Sequence, residues 1–155
     1  MSELKQFNLA RTSLLTFINE LDENVLDRTS EYFENTIRWH IGNILFVNEK
    51  FLFVNQINAP TLPEEYKELF SSDRTVKDWT IEPPSLENLL TQLEEQQVRI
   101  NRFDELFWKS NVKFKVPYGS VKTHGDLLIM LSYREAEIIG MMKVMQSIIK
   151  KPSLH

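Results

Sequence analysis

Arg134 is the residue whose type and place first suggest chemistry. Leu127, Leu131, Ile138, Met141, Met145 and Ile148 recur around it at steps of three and four, so it stands inside an otherwise apolar helical seam. A guanidinium keeps its charge, and burying it unpaired is costly. It must meet a carboxylate, backbone carbonyls, a water-filled pocket or a bound anion. Two plain readings rank first: a packed stem with its head reaching solvent, or a structural pair with an acidic residue on a neighbouring helix. Anchoring a substrate ranks below them. His40 comes next, inside the apolar arc of a second helical segment. A lone histidine there is more often a satisfied core residue than a metal ligand or base. With Trp39 beside it, polar partners are expected if both rings are buried. His124 falls at a helix start, where a positive ring would oppose the helix dipole, so a surface or loop-packing role suits it best.

Other chemistry finds little support. A metal site between helices wants His, Asp or Glu at i, i+3 or i+4 on facing core sides. Glu135 and Glu137 are two apart, His40 and Glu49 nine apart, and neither spacing serves. There is no nucleophile elbow, no phosphate-binding glycine loop and no cysteine. The lack of cysteine excludes a disulfide scaffold, a thiolate zinc site and a thiol nucleophile. A net charge of −4 argues against a general nucleic-acid binder. No segment reads as a signal peptide or reaches the ~20 apolar residues of a membrane span, so no membrane contact and a cytoplasmic location are expected.

The elements that must position these residues are helical. Gly and Pro together number ten in 155 residues, too few for a turn-rich β-protein and favourable to long helices. The first helix is predicted from Ser2 to Leu21, with Leu4, Phe7, Leu14, Phe17, Ile18 and Leu21 as its stripe. Asp22–Glu34 is a charged linker with room for a short turn of helix. The second helix runs from Asn35 to Asn55. Its stripe is Ile37, His40, Ile44, Val47, Phe51 and Val54, widened by Ile41, Leu45 and Leu52. Trp39, Phe46 and Phe53 form a further column.

Four of the six prolines fall between Ala59 and Pro84, marking a long connection with a short helix after Pro63. Ser85 caps the third helix, whose seam continues through Leu89, Leu93, Gln96, Ile100, Phe103 and Phe107. Asn111–Lys122 is extended, with Val112, Phe114 and Val116 alternating against lysines and a turn at Pro117-Tyr118-Gly119. Thr123 and Asp126 form a capping pair for the fourth helix, which Pro152 stops. Four long helices bury such stripes most simply as a four-helix bundle, and the long connections permit crossover topology. The expectation is an all-α fold in one domain covering residues 1–155.

The order of these pieces resembles the DinB-like (YfiT-like) superfamily over nearly the whole chain. Asn35-Thr36-Ile37-Arg38-Trp39-His40-Ile41-Gly42-Asn43-Ile44 is similar to its helix-two signature. Leu62-Pro63-Glu64-Glu65-Tyr66, Leu69-Phe70, Asp78-Trp79 and Pro83-Pro84-Ser85-Leu86 resemble its crossover. Pro117-Tyr118-Gly119 and Thr123 to Leu128 resemble the entry to its last helix. The resemblance implies a three-histidine metal site, with one ligand from a W-H-x-G-H-I segment and two from H-E-x-x-H-x-G. It also implies metal-dependent thiol transferases or isomerases among the relatives, and frequent dimers.

This sequence departs from that pattern. Aligned on Gly42, the helix-two ligand position holds Asn43, with His40 one turn earlier; an alignment that makes His40 the ligand stays open. Aligned on Gly140, Arg134 and Ile138 replace the two helix-four histidines. Neither side chain can offer a metal a lone pair at neutral pH. The expectation is a non-catalytic, metal-free and cofactor-free member. Its former metal pocket, built from Asn43, Arg134, Ile138, His40 and Glu135, is structural or takes a small anionic ligand, and no catalytic residue is named. The alternative is a metal-dependent thiol transferase or hydrolase with a rearranged site. A homodimer is the expected partner state, through the column of Trp39, Phe46 and Phe53 unless helix one and the crossover cover it.

Overall fold

Capping residues fix where three of the four long helices begin. The computed structural model describes residues 1–54, 62–116 and 119–151. Helix α1 spans Ser2–Asn19. Helix α2 spans Ile37–Leu52, and the Thr36 hydroxyl accepts from the Trp39 backbone N–H at its start. Helix α3 is the short Glu65–Phe70 segment after Pro63. Ser85 caps α4, Leu86–Asn101, by accepting from the Asn88 N–H. The Thr123–Asp126 pair caps α6, His124–Lys150, reciprocally: Thr123 Oγ1 accepts from Asp126 N, and the Asp126 carboxylate accepts from the Thr123 and Lys122 N–H groups. Those backbone donors hold the Asp126 carboxyl below the usual carboxylate range. The charged linker carries a 3-10 turn at Glu23–Val25. Expected features at Asn55, Ala59–Thr61, Pro117-Tyr118, Pro152 and His155 lie outside the described residues.

The third predicted helix is two. It ends at Asn101, and Asp104 opens α5, Glu105–Lys109, by accepting from Phe107 N. Phe103 and Phe107 keep the helical spacing because they stack across this break, with ring centroids 3.8 Å apart. The segment at 111–116 is no strand, although Val112, Phe114 and Val116 do alternate inward against their exposed neighbours. Backbone bonds from Val112 N to Lys122 O and from His124 N to Ser110 O close the loop at the foot of α6. Among the described residues the fold is all-α, with isolated bridges at Ser30/Phe33 and Asn111/Thr123 as its β-type pairing.

The four long helices surround a common core. Helix α1 packs against α6 and α4, and α2 packs against α4, α6 and α3. One apolar cluster gathers Leu14, Ile41, Ile44, Phe70, Leu93 and Met142. A second, around Phe7, Ile100, Trp108, Leu127 and Leu131, lies against the closed loop. The inner face of α6 is wider than the predicted seam and departs from it in part. Leu128, Glu135, Ile139 and Met142 are buried, while Met141 is 40% exposed, Ile148 is also exposed and Arg134 is only half-buried. At the adjacent apolar pairs 127/128 and 138/139 both residues are buried, and at 141/142 burial takes only the second, so Leu127, Leu131, Ile138 and Met145 of the predicted seam lie in the core. No helix among the described residues is long and apolar enough to cross a membrane.

Candidate functional site

Two polar centres lie among the long helices, and neighbouring residues of α6 belong to different ones. The first was not anticipated. Arg11 continues the spacing of Phe7 and Leu14 on α1 and is 0% exposed. It forms a two-pronged pair with Glu135, itself 1% exposed: Nε donates to Oε2 at 2.9 Å and Nη2 to Oε1 at 3.0 Å. Nη1 donates to the Leu93 carbonyl and Nη2 also to Gln96 Oε1. Asn48 Nδ2 gives the carboxylate a third donor. Gln96 extends the network, donating to Leu45 O and to Glu49, which Arg99 grips through two nitrogens. The charges cancel, and α1, α2, α4 and α6 each supply a member. The sequence signal was the 4-7-11-14-18-21 spacing on α1, in which Arg11 holds a core position.

The second centre contains most of the predicted site residues. Asn43 is wholly buried on α2. Its Nδ2 donates to the Phe70 carbonyl at 2.7 Å, satisfying the open C-terminal end of α3, and to Ser72 Oγ at 3.3 Å. Its Oδ1 accepts from Arg134 Nη2. Helix α3 comes this close because residue 42 is glycine: a Cβ there would collide with the Phe70 ring. His40 lies one turn before Asn43. Burial first, and the Arg134 charge second, lower its pKa to about 4, so the ring is neutral at pH 7. Trp39 meets the His40 ring edge-on at 5.0 Å. The Trp39 indole N–H was expected to find a polar partner, yet it is buried with no acceptor among the described residues.

Ile138, one turn after Arg134, is buried in the first apolar cluster. Glu135 does not join Asn43 and Arg134; its carboxylate is held by Arg11. His124 is buried rather than on the surface: its Nδ1 lies 2.9 Å from Ser110 Oγ and its ring stacks on Phe107, which fits a loop-packing role. In the column of Trp39, Phe46 and Phe53, Trp39 is buried in the first cluster, while Phe46 and Phe53 are half-buried, Phe53 against Phe103 and the Arg99 guanidinium.

The donor set does not suit a metal ion. The Asn43 amide oxygen is engaged by a permanent cation, Ile138 has no lone pair, and the neighbouring histidine lies beside the same cation. Among the described residues, no three His, Cys, Asp or Glu side chains are grouped so that they could hold a metal. What the corner offers is a half-buried guanidinium beside a neutral imidazole and a buried amide. Such groups hydrogen-bond to anions and to carbonyls but cannot polarise a substrate as a metal would.

Residues 6–136 match the family model described as DinB superfamily. No curated protein matches the chain.

Proposed function

Because the chain belongs to the DinB superfamily, we propose that it is a metal-free, non-catalytic member in which the corner formed by Asn43, Arg134 and His40 receives a small anionic ligand. It acts in the cytoplasm as a single-domain protein and as a homodimer. The observation that carries this reading is the hydrogen bond from Arg134 to Asn43. It puts a fixed positive charge where the resemblance calls for metal-binding imidazoles. A guanidinium favours carboxylate or phosphate oxygens, which it can grip with two parallel N–H bonds. His40, neutral at pH 7, adds a hydrogen-bonding group without charge. Ile138 leaves the adjoining position apolar.

Four measurements test the reading. Elemental analysis of protein purified without a histidine tag is expected to find no stoichiometric metal; one equivalent of zinc, nickel or iron overturns it. The variant carrying Asn43→His, Arg134→His and Ile138→His together is expected to take up metal, since it restores three imidazoles to the scaffold. Titration with inorganic phosphate and with acetate, followed by NMR, is expected to move signals from α2 and α6 in the natural protein and not in Arg134→Gln. Thiol-transferase activity that a chelator abolishes would instead establish a metal-dependent enzyme with a rearranged site.

A further inference from the structure

The seam between α1 and α6 does not stay closed along its length. The two helices run side by side in the same direction: Glu3 lies beside Gly125 near their starts, and Arg11 meets Glu135 further along. Beyond that pair, Ser13, Thr16, Phe17 and Glu20 follow on α1 at i, i+3, i+4 and i+7, so they share one face. With Lys143 and Gln146 of α6 they line a cleft of about 350 Å³, a volume within the ~300–1,000 Å³ of small-molecule sites. Phe17 is buried and gives the cleft an apolar wall. The other five residues are polar, and none of their side chains has a hydrogen bond or ion pair among the described residues. Ser132 and Ser147 show the contrast: their hydroxyls donate to the carbonyl four residues back, at 2.7 and 3.1 Å. The Ser13 and Thr16 hydroxyls make no such bond and keep both donor and acceptor for whatever enters the cleft.

We propose that this cleft binds a small zwitterion, a free α-amino acid or a dipeptide, with the ligand's ammonium at Glu20 and its carboxylate at Lys143. None of its residues belongs to the corner of Asn43, Arg134 and His40. Two opposite charges border the same cleft without pairing to each other, the ion pairs among the described residues lying elsewhere. A ligand that carries both charges satisfies both at once, whereas a simple anion or cation satisfies one. The negative side is reinforced. Glu20 caps the C-terminal end of α1, and that helix has no basic residue in its last turn. The carboxylate and the negative end of the helix dipole therefore add together, which favours a cation there. Lys143 supplies the positive charge from α6. The Ser13 and Thr16 hydroxyls and the Gln146 amide are left for the ligand's remaining polar groups. Thr16, Glu20 and Lys143 are exposed, so entry needs no rearrangement. Exposed charges are each worth little, which puts the expected affinity at ~0.1–1 mM.

NMR titration of the full chain with L-glutamine and with glycylglycine tests this, the two probes separating a free amino acid from a dipeptide. At least one is expected to give saturable shifts at Ser13, Thr16, Glu20, Lys143 and Gln146. Blocking either end of the probe that binds, by acetylating its amine or amidating its carboxylate, should weaken it about fivefold. Glu20→Gln should weaken the zwitterion by about as much and leave the acetylated probe unaffected, and Lys143→Gln should do the same with respect to the amidated probe. Ser13→Leu should abolish binding by filling the cleft; if it also lowers thermal stability, the two charge variants decide. No saturation by either probe up to ~50 mM overturns the proposal. So does binding that is indifferent to Glu20→Gln and Lys143→Gln, or blocked probes that bind as tightly as the zwitterion.

Discussion

Arg134 and Glu135 are adjacent on α6 but belong to centres built on opposite terms. Glu135 is buried beyond reach of water and lies in a closed network: two nitrogens of Arg11 and one of Asn48 hold its carboxylate, while Leu93 O and Gln96 take further Arg11 donors. Arg134 is half-buried, bonded to a neutral amide and next to a histidine that stays uncharged at pH 7. One centre neutralises its charge internally. The other holds a half-buried guanidinium against a buried amide near the edge of the core. A closed pair of opposite charges can specify how helices pack but has little to offer a ligand. A guanidinium that is only half-buried stays within reach of a ligand's oxygen atoms. For this reason the functional reading is placed at Asn43 and Arg134 and not at the better-buried pair.

The largest effect that would test the contrast is at the closed centre. Arg11→Met alone, or Glu135→Leu alone, should cost about 3 to 5 kcal/mol in urea unfolding, because each strands a buried charge. The double variant should recover most of that loss, since an apolar pair of similar volume often matches a buried ion pair. If the single changes cost no more than Arg134→Met does, the two centres are not different in kind.

The next effect concerns pH at the open corner. His40 binds a proton near pH 6.5 in the unfolded chain but at about 4 in the folded one. Between those values the unfolded state holds more protons, so stability falls as pH falls from 6.5 towards 4. The loss attributable to this group is up to about 3 kcal/mol, reduced by its partial exposure. Urea midpoints at pH 7.5 and 4.5 should differ less in His40→Gln than in the natural protein. Gly42→Ala should cost about 1 to 3 kcal/mol by driving a methyl group into the Phe70 ring, with the loss read from thermal unfolding. Smallest is Arg134→Met, which should change stability by no more than about 1 kcal/mol. It should also raise the His40 pKa, because the like charge that lowers it is gone, and an NMR titration of the imidazole would show the shift.

The sequence and the structure agree where local chemistry decides. Ser85, Thr123 and Asp126 cap the helices that their side chains predicted, and Thr36 caps α2 in the same way. They part where the choice depends on partners far along the chain. On α6 the seam is right at Leu127, Leu131, Ile138 and Met145 and wrong at Arg134, Met141 and Ile148, because apolar residues come in adjacent pairs and periodicity alone does not show where the inner face shifts to Glu135 and Met142. That slip made Arg134 the seam charge and left Glu135 as a spare pocket residue. Arg11 went unnoticed for a related reason. An arginine on an N-terminal helix reads as solvated until a buried carboxylate is shown to face it. The break at 102–104 was hidden by Phe103 and Phe107, whose spacing suits a continuous helix, although Asp104 as a helix-capping residue was the sign of a new start. The polar corner is a different case. Arg134 and His40 stand out by type and spacing, Asn43 comes from matching a segment to a family pattern, and the fold brings Arg134 to Asn43 across 91 positions of chain.

The Arg11–Glu135 bond spans 124 positions of sequence, and this bears on how the chain matures during translation. While the ribosome is still making α4, Arg11 has no carboxylate to receive it, and the face of α1 that carries it cannot close without stranding a charge. Amphipathic contacts made before α6 emerges are therefore provisional, and the last long helix to be synthesised completes the first. Nascent chains stalled just before residue 135 should remain sensitive to protease along α1, and those extended past α6 should become resistant.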